Sequence, residues 1–274
     1  REAIFTSPDQ TFNEMYMIQA QGEHWLNDIW QVSGNAFYRR NETDTFNGDG
    51  TEFEECTIDG GLEVLIEVDE DELEDAGIDC EAGTTLAILN GSGVDFEIVE
   101  DQFGNDVDEN NAQITALGLD IDELNGLNNR SDRVQESYGG TLQNVFLGDL
   151  FGKQNQLIIG AGYTYGDVTF NSSQELASLN ADRSTQQSGI FVPEEGTAVD
   201  SETFTISLFF TDTLSVTDKL DLTFSGRFDH TDIELNDQGG RGFTDPQPAL
   251  TGEHEYNRFN PAFGFTYAHT PGLS

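Results

Sequence analysis

The sequence predicts an all-β chain of long antiparallel strands, of the kind that forms the wall of a membrane barrel. Three observations carry this. Apolar and polar residues alternate over long stretches, which is the period of a strand with one greasy and one wet face. The links between these stretches alternate between short and long, which puts neighbours antiparallel and every long loop at one end. Several stretches also run well past the roughly 5–6 residues of an ordinary globular strand. Soluble sandwiches have no reason to gather their long loops on one side, whereas outer-membrane barrels do.

Seven strands are expected. The first two span 12–24 and 29–40 and meet at Leu26-Asn27-Asp28. In the second, Trp30, Val32, Ala36 and Tyr38 oppose Gln31, Ser33 and Asn35. Strands 133–147 and 154–171 meet at Gly148–Gly152, and Leu157, Ile159, Ala161, Tyr163 and Tyr165 share one parity. Strands 202–212 and 218–234 meet near Ser215-Val216-Thr217. The clearest alternation is DKLDLTFSGRFDH at 218–230. There Leu220, Leu222, Phe224 and Phe228 fall on the expected lipid face, while Thr223, Ser225 and Arg227 fall on the expected lumen face. The last strand, 258–267, carries Phe259, Phe263, Phe265 and Tyr267 on one parity. Gly160, Gly162 and Gly264 sit on polar faces, where they weaken a globular strand but suit a lumen in which nothing fills the space. Aromatics cluster near strand ends, where barrels meet the membrane interface.

Long connections are expected at roughly 41–130, 172–200 and 236–254. The chain thus divides into barrel strands at 1–40, an acidic extracellular loop or subdomain at 41–129, and barrel strands with two further long loops at 130–274. Segment 41–129 holds 27 Asp and Glu and no Lys or Arg. Its carboxylates, at alternate positions, are the hard oxygen ligands that Ca²⁺ takes. No EF-hand pattern is present, and Asn47, Asp49 and Glu52 form the best local candidate, with Gly48 and Gly50 allowing a tight turn. The competing reading is a solvated, salt-adapted loop whose carboxylates repel one another unless counterions are present. Cys56 and Cys80 lie inside this segment. In an extracellular setting they are expected to close one disulfide rather than stay free thiols, and without a CxxC or a nearby His pair they make no zinc site. Residues 84–99 read as a β-hairpin turning on Asn90-Gly91-Ser92-Gly93, and 112–124 as a short helix.

A formal charge of −41, from 11 Lys and Arg against 52 Asp and Glu, argues against nucleic acid as a partner. It argues equally against docking on anionic headgroups through a basic patch. It fits metal cations, cationic ligands or a salty exterior. No apolar run reaches the roughly 20 residues of a transmembrane helix, a limit that does not apply to barrel strands. The chain opens on Arg1-Glu2-Ala3 with no apolar leader segment, as expected of a processed chain or a piece of a longer one. The glycines of GAGYTYG at 160–166 lie inside a strand, so a dinucleotide loop fails on context. His24, His230, His254 and His269 are scattered, and no catalytic constellation is present.

Several stretches resemble the barrel of TonB-dependent outer-membrane receptors. They are GNAFYRRNETDTFNGDGTEFEEC at 34–56, NNRSDRVQESYGGTLQ at 128–143, LFGKQNQLIIGAGYTYGDVTFNSSQELASL at 150–179, LTFSGRFDHTDIELND at 222–237 and EYNRFNPAFGFTYAHTPGLS at 255–274. The resemblance covers nearly the whole chain. It implies a 22-stranded barrel closed by a plug, which imports a scarce small-molecule ligand with energy from the TonB system. Siderophores, cobalamin, haem and oligosaccharides are all carried this way. Seven strands without a plug or TonB box imply an internal portion of such a barrel. Two alternatives stand beside it: a secreted Ca²⁺-binding β-sandwich adhesin, and a receptor-derived fragment that self-associates into cross-β filaments.

Overall fold

The computed structural model describes residues 6–68, 70–80, 83–238 and 250–269. Seven strands form one antiparallel sheet: β1 (Asp9–Asn27), β2 (Trp30–Gly50), then β6 (Gly126–Leu150), β7 (Lys153–Leu179), β8 (Thr185–Thr217), β9 (Leu220–Asp237) and β10 (Gly252–Tyr267). Their spatial order is their chain order, so every pair is a neighbour in sequence apart from the insertion between β2 and β6. The sheet is open, with β1 and β10 at its edges.

The strands are longer than alternation alone suggested. β2 and β6 pair without interruption from Trp30↔Phe146 to Gly50↔Gly126. β7 and β8 continue through the stretch expected as a loop at 172–200, leaving only a tight turn at 180–184. The reason is physical. Beyond the apolar band both faces carry Asn, Thr, Ser and Asp, so the period-2 signal fades. The backbone ladder still closes, because each strand has a neighbour rising beside it to take its N–H and C=O groups. The short links are two-residue turns. At Phe151-Gly152 both residues have positive φ (57° and 74°), as the hairpin twist demands, and Gly accepts this freely. Of the third long connection, 239–249 lie outside the described residues.

Between β2 and β6 the chain folds a separate unit at 51–125. β3 (Glu54–Ile58), β4 (Leu62–Val68) and β5 (Phe96–Ile98) form a small antiparallel sheet. Helices α1 (Glu70–Ala76), α2 (Leu86–Ser92) and α3 (Ala112–Leu117) and a 3₁₀ turn at Ile121–Glu123 surround it. In place of the expected hairpin at 84–99 stand the helix α2 and, after it, the strand β5. Thr85 caps α2, its hydroxyl accepting from Ile88 N at 3.1 Å, and Gly93 ends the helix in the left-handed region at φ 84°. Asn90-Gly91-Ser92-Gly93 thus marks a helix end. Leu89 on its inner side is fully buried. The expected helix at 112–124 is split into α3 and the 3₁₀ turn by Gly118, which caps α3 at φ 68°.

Two apolar clusters hold this unit. One gathers Cys56, Ile58, Val64, Ile66, Leu73, Cys80 and Leu89. The other joins Phe53, Leu65, Val99, Val107, Ile114, Ile121 and Leu124 to Leu127 of β6, Leu176 of β7, and Ile190 and Val192 of β8. The second cluster therefore seats the unit on the strand extensions. Gln102 reinforces it by donating to Gly189 O at 3.0 Å and accepting from Phe191 N at 2.9 Å.

Candidate functional site: a two-faced wall and its polar surface

Cross-strand pairing sorts the wall into two faces, because directly paired residues point the same way. Starting from β9, Phe228 pairs Leu208, and Phe224 pairs Phe263. Following the register gives an apolar face built from Ile18, Ala20, Val32, Ala36, Leu142, Ile159, Ala161, Ile206, Leu208, Leu222, Phe224 and Phe265. Leu220, Leu222, Phe224 and Phe228 all lie on it. Nothing among the described residues covers this face. Leu208 is 56% exposed, Phe263 69% and Phe265 70%. A sandwich would pack such faces against each other, so that alternative does not describe this chain.

Aromatic rows bound the face at two heights. Trp30 stacks on Phe146, centroids 5.6 Å apart, beside the short turns. At the other height Tyr38, Tyr138, Tyr165 and Phe204 form one register row. Tyr138 meets Tyr165 at 5.1 Å and Tyr163 meets Phe204 at 5.4 Å. From Trp30 to Tyr38 is nine residues, against the roughly 9–11 a tilted strand needs to cross a bilayer. Beyond the tyrosines the same face turns charged in a single step. The next row reads Arg40, Glu136, Asp167, Glu202, Glu234 and Glu253 across β2 and β6–β10. Arg40 is ion-paired with Glu136 and with Glu42.

The opposite face is polar and internally bonded. Thr223 meets Thr213 at 3.1 Å, hydroxyl to hydroxyl. Arg227 donates to Asp229 at 2.7 Å and to Ser207 at 2.8 Å, and Ser207 donates to Asp229 at 2.6 Å. Ser225 pairs Thr211 on the same face. Of its glycines, Gly264 has open space above it, but Gly160 does not: the Phe209 ring lies where its Cβ would be. The expectation of unfilled space fails there, because the neighbouring strand's aromatic shields the bare backbone. Further along this face, Gln21, Glu23, Ser33, Asn35, Thr141 and Gln143 line a cavity of about 490 Å³. They form two register rows, Gln21–Asn35–Thr141 and Glu23–Ser33–Gln143. Sequence reasoning did not single them out. Their polar parity is visible, but their convergence needs the register.

The remaining candidates lie in the inserted unit and at the adjoining end of β2. Cys56 and Cys80 are joined by a disulfide, with Cα atoms 4.4 Å apart, inside the first apolar cluster. Asn47 and Asp49 take separate partners. With its side-chain amide turned so that the nitrogen faces the acceptors, Asn47 donates to Phe46 O and Asp9 Oδ1, each at 3.1 Å. Asp49 accepts from Gly50 N at 2.9 Å, and Glu52 lines a cavity beside Glu67. Among the described residues no group of three His, Cys, Asp or Glu side chains is placed to hold a metal ion. In the Asp-rich stretch 101–111 the buried Asp101 is saturated by N–H donors: Phe103 N at 2.8 Å, Asn105 N at 3.0 Å, and the side-chain amide of Asn111 at 3.0 Å. Burial alone would raise its carboxyl. The Asn105, Asn111 and Phe103 donors outweigh that and hold it below the usual range.

The family model described as TonB dependent receptor-like, beta-barrel matches residues 3–274. The chain belongs to this family. Comparison with curated proteins returns no match. Among solved structures, the chain resembles the ferric-catecholate import receptor Fiu from E. coli K12. The closed form aligns at TM-score 0.56 and 14% identity, over 97% of this chain and 32% of that one. The open form aligns at 0.53 and 13%, over 97% and 35%. The siderophore receptor PiuA from Acinetobacter baumannii aligns at 0.53 and 12%, over 96% and 31%. The chain thus spans about a third of these receptors' length, and at these identities the likeness is one of fold. The seven-stranded sheet is a portion of a TonB-dependent receptor barrel, an outer-membrane architecture.

Proposed function

We propose that this chain forms part of the wall of an outer-membrane TonB-dependent transporter that imports a scarce ligand. The face of Leu220, Leu222, Phe224 and Phe228 meets lipid, the face of Thr223, Ser225 and Arg227 lines the lumen, and the unit 51–125 stands outside the cell. The observation that carries the reading is the exposed apolar face, bounded by aromatic rows and giving way at once to charge. Such a face calls for an apolar surrounding, and the acyl chains of a bilayer supply one. The polar face, with its amide- and hydroxyl-lined cavity, is the surface a ligand and a plug would contact. No step in this process breaks a covalent bond, since the work is binding and release driven by plug rearrangement through the TonB system. Among siderophores, cobalamin, haem and oligosaccharides, the first is the ligand class named for the structural neighbours Fiu and PiuA, and it is the one we take for this chain.

The two tryptophans test the orientation. Trp30 shares the apolar face with Val32, whereas Trp25 pairs Gln31 on the polar face. In vesicles of brominated phospholipid, a Trp25→Phe variant, keeping Trp30, should be strongly quenched. Trp30→Phe, keeping Trp25, should be quenched weakly. Equal quenching of the two would reject the assignment. Uptake of labelled ferric siderophore by cells carrying a receptor with this segment tests the ligand class. Competition by cobalamin or haem but not by siderophore would redirect it.

A further inference from the structure

β8 does not run straight beside β7. Ser172 pairs Thr197 and Gln174 pairs Val192, so Ser173 alone faces the four residues 193–196. Such a bulge pushes the chain out of the ladder and re-aims its side chains. Glu195 lies on it, within the field of Glu67 on β4 and of Glu52. Glu52 and Glu67, together with Asp95 and Glu97 flanking Phe96, line a cavity of about 410 Å³. Segment 41–129 contains no Lys or Arg that could neutralise them. Beside this repulsion lies attraction. Ile190, Val192 and Leu176 pack with Phe53, Leu65 and Val99, and Gln102 bonds Gly189 and Phe191. Glu175 of β7 is engaged elsewhere, accepting from Gly189 N at 2.8 Å.

We propose that this junction is a pH-sensitive latch: protonation of Glu195, which removes its repulsion from the carboxylates of Glu67 and Glu52, tightens the seating of the unit 51–125 on the β7–β8 extension, and ionisation of Glu195 loosens it. Burial, reinforced by Glu67 and then Glu52, raises the Glu195 carboxyl above the usual range. A group raised in the docked state favours docking while protonated. That contribution is full below the ordinary carboxylate pKa and is lost as pH rises through the raised value. The latch links the seating of an inserted domain to the proton and salt content of its surroundings, independently of which ligand the transporter carries.

Hydrogen exchange of the full chain in detergent micelles, corrected for intrinsic rates between about pH 4 and pH 8, tests this across the carboxylate range. The reference is the β6–β7 ladder around Thr141–Gly162. Protection of Gly189–Val192 and Val99 should fall about two- to fivefold relative to it as pH rises, the size expected of partly exposed charge contacts. Added salt at neutral pH should restore it. Glu195→Gln should flatten the profile at its acid value, while Asp149→Asn at the far turn should leave it unchanged. If Glu195→Gln disturbs the reference ladder, Glu67→Gln decides the matter in its place. A junction insensitive to pH and salt in the unsubstituted chain, or a fall that survives both glutamine variants, overturns the latch.

Discussion

The wall and the inserted unit solve the same problem in opposite ways. The wall turns its phenylalanines and leucines outward, with Phe263 and Phe265 about 70% exposed, and draws its order from unbroken backbone ladders. The unit turns Ile66, Leu89, Ile114 and Leu124 inward to nearly zero exposure and adds a disulfide. Charge follows the same division. All 11 Lys and Arg lie outside 41–129, while 27 of the 52 acids lie within it. One chain therefore carries an exposed apolar face on its wall and a strongly acidic surface on its inserted unit. Interior and exterior are defined by the surroundings, not by residue type.

The largest expected effect falls on the unit alone. Replacing Cys56 and Cys80 together by Ala should cost it about 3 kcal/mol, as removing a disulfide from a small domain commonly does. Denaturant unfolding followed at β3 and β4 by hydrogen exchange should shift, while the β6–β7 ladder holds. If both halves shift together, they are one cooperative unit. Leu176→Ala tests the seam between them. It truncates a fully buried side chain shared by both and should cost about 3 kcal/mol. Protection should be lost at Val99 and Ile190 before it is lost in the β6–β7 ladder around Thr141–Gly162. On the wall, Phe224→Arg should destabilise the bilayer-inserted chain by about 2 kcal/mol, within the range for cations on a lipid face, whereas Ser225→Arg should be near neutral. Equal costs, measured by reversible unfolding from lipid vesicles, would erase the distinction between faces.

The smallest effect is a matter of sign. Asp101 is held below the usual carboxylate range, so its support for the 101–111 turn is present above the unfolded value and is lost as pH falls through the lowered one. Acid should therefore loosen the amides of Phe103 and Asn105, while it tightens the junction at Glu195. Parallel responses at the two places would show that a general acid effect governs both.

Much of the wall was legible because its band of alternation is long: the parity of β9 is read directly, whereas the link expected near Ser215-Val216-Thr217 falls at 218–219, just past the end of β8. The strand extensions were hidden, since Ser172, Ser173 and Gln174 carry no period although their backbones pair with β6 without a break. The α2 error has a similar cause. Asn-Gly-Ser-Gly is turn chemistry in isolation, and only the burial of Leu89 and the Thr85 cap make it a helix end. The polar cavity could not be read at all, because Gln21, Asn35 and Thr141 are far apart in sequence and meet only through register.

The pairing of Gly50 with Gly126 has one more consequence. The inserted unit leaves the sheet and returns to it at a single ladder rung, so its two ends are as close as those of a hairpin turn. For assembly, a long stretch of chain must be gathered before β6 can find β2, and loop-closure entropy grows with its length. A unit that compacts on its own shortens that search. In engineering terms the rung is a natural splice point, where a two-residue turn or a foreign domain with adjacent termini could be exchanged for 51–125 and leave the strand register intact.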